Sequence, residues 1–274
     1  MAVRNPGTHT RRRTKGPLEI AKLTARRVLD GHVADAGVLG VAETANWGIS
    51  HLGRWMPSKV RCPCCGYRGP SFHHVHNRAW TSWNAACPQC DSRSRHRGLS
   101  LLIPQLLAQG PPSPRVLHLA PEAVLRRVIE PIAGVYHTSD LAMEDVTYPN
   151  EDLTRSRLPA SAYDVLLCNH VLEHIPDDVT ATSALARVLI PEGVAIITIP
   201  GDFTQQATVA YPDDSLNGHW RHYGMEVVDL FGRFFADVQT IDLHAFDRSG
   251  GGLRYGIRPG EIAFVLRRPR PSPE

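Results

Sequence analysis

From Arg115 onward, short apolar runs alternate with longer stretches of helical periodicity, which predicts strands and helices in turn. Strand-like runs cover Arg115 to Ala120, Val135 to Asp140, Tyr163 to Asn169 and Val194 to Pro200. Two more, Val238 to His244 and Glu261 to Leu266, flank a Gly-rich stretch from Ser249 to Gly252. Helical stretches are Pro121 to Ile132 and Asp177 to Leu189. The second is entered after Pro176 and closed by Pro191-Glu192-Gly193, since proline suits a helix start and cannot continue one. Upstream, Leu99, Leu102, Ile103, Leu106 and Leu107 recur at helical spacing until Gly110 and Pro111-Pro112, and a further helix-like run spans Leu18 to Leu29. Strands alternating with helices call for a doubly wound α/β architecture, a mostly parallel sheet covered on both faces. Ligands of such sheets bind at the carboxyl ends of the strands, where the winding direction reverses.

A chain of 274 residues with 42% hydrophobic content suffices for one full α/β core and a small appendage. No apolar run approaches the roughly 20 residues of a membrane span, so a soluble protein without a membrane partner is expected. The net charge is +3, but residues 1–30 hold eight Lys/Arg against Glu19 and Asp30, which leaves −3 for the remainder. Residues 1–54 therefore read as a basic, partly disordered segment with a short helix. Arg11, Arg12 and Arg13 resemble a twin-arginine export signal, yet no apolar core follows them. A solvated charge run is the favoured reading of this segment over contact with nucleic acid.

Two CxxC pairs, Cys62/Cys65 and Cys87/Cys90, enclose a loop of zinc-ribbon length. Four thiolates leave no open coordination position, so this metal would staple a module together rather than activate water. The module occupies residues 55–96. Cys64 lies beside the site, and a register using it in place of Cys65 stays open; His73, His74 and His76 read as surface or loop residues rather than ligands. With no signal peptide in view and thiols suited to metal, a reducing cytoplasm is expected. Arg93, Arg95, His96 and Arg97 follow the second knuckle as either an anion contact or a solvated helix start.

The strand ends carry a specific set. His118-Leu119-Ala120-Pro121-Glu122 follows the first strand, Asp140 closes the second, Asp152 sits on a following turn, and Asn169-His170-Val171-Leu172-Glu173-His174 follows Tyr163-Asp164-Val165. With Arg187-Val188-Leu189-Ile190-Pro191-Glu192-Gly193 after it, this set resembles the class I S-adenosylmethionine-dependent methyltransferases (type 11-like) over Arg97 to Arg268. Cys87-Pro-Gln-Cys90, Ser94-Arg95-His96-Arg97 and Leu117 to Glu122 resemble a bacterial subgroup of them with an N-terminal zinc-ribbon-like segment. The resemblance implies a Rossmann-like, mostly parallel seven-stranded sheet across residues 97–274, with S-adenosylmethionine and a structural zinc as cofactors.

By that resemblance Asp140 binds ribose, Asp152 the adenine amino group, and Leu153 packs on the ring. His118, Ala120 and Glu122 occupy the turn where the family usually has an acid and Gly-x-Gly, and Glu122 is the candidate partner of the cofactor's ammonium group; a favourable charge in a helix's first turn is the competing role. Asn169 and His170 border the sulfonium, and His222 and His170, in that order, are candidate bases, with Arg221 and Tyr223 as acceptor contacts. The Asn/Asp-Pro-Pro-aromatic tetrad of exocyclic base methylation is absent at Asn169-His170-Val171-Leu172, as is a Pro-Cys nucleophile. Transfer to an oxygen or nitrogen of a small molecule, sugar or peptide is therefore expected, with the zinc module near the acceptor site. The alternative is an RNA methyltransferase, or an RNA-binding zinc ribbon with a degenerate sheet domain.

Overall fold

A computed structural model describes residues 14–77, 80–213, 218–248, 252 and 254–270. Arg11 to Arg13 and most of the Ser249 to Gly252 stretch lie outside these residues. Among the described residues the chain divides into two compact units, one holding residues 102–243 and 259–270, the other residues 14–101 together with 244–258. Among the described residues no helix is long and apolar enough to cross a membrane.

The N-terminal unit begins with α1 (Pro17–Leu29) and α2 (Val33–His51). Proline opens α1, Glu19 sits in its first turn and Arg26 and Arg27 in its last, each matching the helix dipole. Helix α2 has no counterpart in the sequence reading, because Gly37, Gly40 and Gly48 dilute its pattern. It is held by packing: Gly40 faces Thr24 of α1, where a Cβ would stand in van der Waals contact at 3.4 Å. The strands β1 (Val60–Arg61) and β2 (Arg68–Gly69) form one small antiparallel pair, and β3 (His73–His76) and β4 (Thr81–Ala86) another.

The three histidines expected on a surface or loop instead lie on β3. Ser50 Oγ contacts His73 Nε2 at 2.7 Å, His76 Nε2 lies 2.8 Å from Asp35, and Asn46 grips the backbone of His74 with both ends of its amide. They fasten α2 to the strand.

Helix α3 (Ser94–Leu107) carries the chain into the larger unit, where β5 (Arg115–Leu119), α4 (Ala123–Ile129), β6 (Val135–Asp140), β7 (Tyr148–Pro149) and β8 (Tyr163–Asn169) follow. Next come α5 (Asp178–Val188), β9 (Leu189–Thr198), a short pair β10 (Val209–Ala210) and β11 (Arg221–His222), α6 (Val227–Phe234), β12 (Phe235–Asp242) and β13 (Ile262–Pro269). Seven strands form one sheet in the order β12-β13-β9-β8-β5-β6-β7. It is parallel except for β13, which runs antiparallel to both neighbours. The predicted doubly wound, seven-stranded fold is thus observed. Val165, Leu166, Leu167 and Cys168 of β8 are all buried, as expected of a central parallel strand covered on both faces.

One expected boundary moves. Pro191-Glu192-Gly193 does not close a helix; α5 ends at Val188 and the next residue already pairs as strand. The register jumps from Tyr163↔Leu189 to Val165↔Val194, so the proline and glycine are absorbed in a bulge of β9, where a missing backbone donor costs nothing.

Candidate functional site

The chain winds from β5 to β6 and β7 on one side of the sheet, then returns to β8 and β9 on the other. At that reversal, beyond the carboxyl ends of β5, β6 and β8, lies a cleft of about 180 Å³ lined by Leu119, Ala120, Asp140, Asp152, Leu153 and His170, with Val171 and His174 among its other walls. Two residues that end central strands there are left-handed without being glycine, Ala120 (φ 45°) and His170 (φ 52°). Such conformations cost free energy and gather at binding sites, where surrounding structure holds them. Here the holding bonds are explicit: Ala120 N–H donates to Ser139 O at 2.8 Å, and His170 N–H to Thr198 O at 2.8 Å.

Both acids expected to touch the cofactor stand on this cleft. Asp140 Oδ1 accepts from the N–H groups of Ala142 and Met143 at 2.6 and 2.8 Å, so one oxygen of the carboxylate builds the turn after β6. Asp152 Oδ1 accepts from the amide and hydroxyl of Thr154 at 2.9 and 2.7 Å, which holds its carboxyl below the usual range. Leu153 is buried beside them.

Three other candidates sit back from the cleft. His118 is fully buried within the sheet and shares a 2.8 Å hydrogen bond between Nδ1 and Tyr136. Asn169 is buried, accepting from Thr198 Oγ1 at 3.1 Å, while its amide nitrogen has no hydrogen-bond partner among the described residues. Glu122 is the N-cap of α4 without a side-chain capping bond. It stands at the start of that helix, where either of its two roles would place it.

His222 lies on β11, opposite Val209, and does not line the cleft. Arg221 and Tyr223, expected as acceptor contacts, are engaged elsewhere. Arg221 donates to the carbonyls of Ile175 and Pro176 at 2.7 and 2.5 Å and pairs with Asp178 at 3.1 Å, while buried Tyr223 donates to the same Asp178 at 2.9 Å. These bonds clamp β11 onto the segment after β8. Sequence reasoning passed over the consequence: Glu173 is fully buried, with His170 Nδ1 at 3.2 Å and His174 Nε2 at 4.0 Å. The signal was in the chain as two histidines flanking one acid, but nothing in the pattern says that the acid points inward.

In the N-terminal unit Cys62, Cys65, Cys87 and Cys90 bring their sulfurs within 4.8 Å of one another. Cys62 and Cys90 are 3.7 Å apart, Cys65 and Cys87 3.6 Å. A tetrahedron with zinc–sulfur bonds of about 2.3 Å has edges of about 3.8 Å, so the donor set fits zinc closely. Cys64 turns away, its thiol donating to His96 O at 3.6 Å. Crowded thiols of this kind deprotonate together only when a cation shares their charge.

The basic stretch after the second knuckle is neither anion contact nor solvated helix start at Arg97. This guanidinium is fully buried, stacks 4.1 Å from the Phe72 ring, and donates to the carbonyls of Ser92 (2.6 Å), Gly256 (2.7 Å) and Ala85 (3.2 Å). Burial lowers the pKa of its guanidinium, against the opposing effect of the nearby cysteines, and Arg97 serves to satisfy these buried carbonyls. Arg97→Leu is expected to destabilise this unit by about 1–3 kcal/mol for each buried carbonyl left without a donor. A melting curve would check it; an unshifted transition would mean these bonds contribute nothing.

Residues 127–197 match the family model of a methyltransferase domain, a span that holds β6, β8, α5 and most of β9. No curated protein sequence matches the chain. Solved structures similar to it include the 1,6-didemethyltoxoflavin-N1-methyltransferase of Burkholderia thailandensis (16% identical over 64% of this chain and 78% of that one, TM-score 0.45). An S-adenosylmethionine-dependent methyltransferase from Mesorhizobium loti is 17% identical over 60% of this chain and 96% of its own, TM-score 0.42.

Proposed function

We propose that this chain is an S-adenosylmethionine-dependent methyltransferase that moves the methyl group to an oxygen or nitrogen of a small-molecule, sugar or peptide acceptor. The observation that carries this reading is the cleft at the winding reversal, with Asp140 and Asp152 on one wall and His170 on the other. When bound, the cofactor supplies an activated methyl on a sulfonium whose sulfur keeps the bonding pair on departure, so the protein contributes orientation and proton removal. Asp140 Oδ2 would accept from the ribose hydroxyls, Asp152 from the adenine amino group, and Leu153 would pack on the ring. Glu122 would meet the ammonium group.

His170 is the better placed of the two candidate bases, because it lines the cleft and its Nδ1 lies 3.2 Å from buried Glu173. A carboxylate there can hold the orientation of the ring, as a positioned base needs. His222 stands as the second candidate. The absence of a base-methylation tetrad at Asn169-His170-Val171-Leu172 favours acceptors other than nucleobases. Screening metabolites, peptides and total RNA for labelled methyl transfer tests this directly; label confined to RNA would favour an RNA methyltransferase instead. For the thiolate cluster we propose one structural zinc.

The role of Asp140 can be tested without an acceptor. Asp140→Ala should weaken cofactor binding about ten- to hundredfold, since a hydrogen bond to a charged group is worth roughly 1.5–3 kcal/mol. Because Asp140 also holds its own turn, Asp140→Asn is the informative control: it keeps the Oδ1 acceptor for Ala142 and Met143 but loses the charge. Calorimetry showing full affinity in both variants would remove Asp140 from the cofactor site, and loss in alanine alone would assign it to the turn.

A further inference from the structure

We propose that Glu173, His174 and His219 bind a divalent transition-metal cation at the wall of the cleft, leaving open coordination positions for oxygen atoms of the acceptor. One ligand atom from each of the three lies within 4.8 Å of the others. Metal ligands at about 2.0–2.2 Å stand roughly 3 Å apart, so binding requires the side chains to close by about 1–2 Å, within reach of rotamer adjustment. Two imidazoles and one carboxylate with open positions is a recurrent donor set for catalytic first-row cations.

Three independent observations support the site. Glu173 is fully buried; His170 Nδ1 lies 3.2 Å from Oε1, but neither carboxylate oxygen accepts a well-formed hydrogen bond from the described residues. A buried carboxylate left so is costly unless a cation balances it. Secondly, His174 Nδ1 stands 2.8 Å from Gly218 O, and a carbonyl can only accept. The Nδ1 proton is thereby fixed, and in the neutral ring Nε2, the atom nearer Glu173, keeps its lone pair for a metal. Thirdly, the strand and turn that bring His219 here are tied to the same segment. Trp220 N–H donates to Glu173 O at 2.8 Å, Gly218 is left-handed (φ 78°), and a Cβ there would crowd His174 Nδ1 at 3.3 Å. The rings of His174 and His219 meet edge to face at 4.8 Å between centroids. His170, against Glu173 Oε1, would orient the carboxylate from behind, as partners of metal-ligating acids do.

The acceptor part of this proposal rests on the methyl-transfer reading; the metal part does not. A hydroxyl coordinated there would yield its proton to His170 more readily, and its oxygen would form the new bond to carbon as the pair of the broken carbon–sulfur bond returns to sulfur. Acceptors with two adjacent oxygens, such as catechols or vicinal diols, fit two open positions best.

The test uses the full chain as purified and Mn²⁺ as the probe, because this hard cation does not compete for thiolates. Loss of the free Mn²⁺ paramagnetic signal should report one bound ion per chain. His219→Ala and Glu173→Gln should each weaken it tenfold or more, with S-adenosylhomocysteine affinity and the circular dichroism spectrum unchanged. If Glu173→Gln does not fold, His219→Ala, on the less buried ligand, decides. The proposal is overturned if neither Mn²⁺, Co²⁺ nor Zn²⁺ binds beyond the cysteine site, or if both variants bind as the parent does. Mn²⁺ binding without any S-adenosylhomocysteine binding would instead overturn the methyl-transfer reading alone.

Discussion

Cys87→Ser is expected to release zinc from the protein and unfold the unit built around the cysteines, the largest stability effect of any single substitution considered. Structural zinc sites contribute about 10–16 kcal/mol of apparent binding free energy near neutral pH, which rivals the whole stability of an ordinary domain. The core around the cysteines is small: Val60, Cys62, Phe72, Cys87 and Cys90 are its buried apolar members, so the metal does most of what side-chain burial does elsewhere. Because the ligands must be thiolates, acid should release the metal as it protonates them, and the unit should lose stability as pH falls. Metal analysis after preparation without chelator, paired with thermal melting of wild type and variant, measures both. Cys64→Ser is the control and should retain the metal, since that thiol faces His96 O. Full zinc and an unchanged melting temperature in Cys87→Ser would refute the structural role.

His170→Ala should lower turnover by about a hundredfold or more while leaving cofactor affinity nearly intact, the range in which a positioned base contributes 10²–10⁴-fold. The expectation comes from its place on the cleft wall and the carboxylate of Glu173 at 3.2 Å behind its ring. His222→Ala should cost much less, because that residue pairs with β10 and is absent from the cleft wall. The ratio of the two effects is the measurement. A larger loss in His222→Ala would restore it as the base, and full activity in His170→Ala would take His170 out of the mechanism. Since His170 holds a left-handed backbone, His170→Gly and His170→Asn separate backbone strain from chemistry: both tolerate the conformation and neither can take the proton.

The alternation of apolar runs with helical stretches was enough to read the sheet, because each parallel strand must be buried on both faces and leaves a continuous signature. Where that rule weakens, so did the reading. The two-residue strands β7, β10 and β11 are too short to carry any period. Helix α2 owes its existence to α1 and β3 rather than to its own glycine-diluted sequence, and the three histidines that anchor β3 resemble loop residues until their partners Asp35, Asn46 and Ser50 are brought to them.

The same division runs through the candidate site. Sequence by itself determined which residues stand at strand ends, since an acid or a polar residue closing an apolar run is visible in one dimension: Asp140 and Asn169 were legible this way, and the four paired cysteines by their spacing. Only the tertiary structure decided which of them share a cleft. Cys65 and not Cys64 faces the other sulfurs, His118 and Asn169 turn into the core, Arg221 and Tyr223 serve as a clamp, and Glu173 lies buried among His170, His174 and His219. The direction of a side chain after a strand end depends on one backbone angle, such as the positive φ of Ala120 and His170, and that angle is set by hydrogen bonds to Ser139 and Thr198, which lie far along the chain. Chemistry carried by residue type is local, whereas convergence of side chains is a long-range property of the sheet.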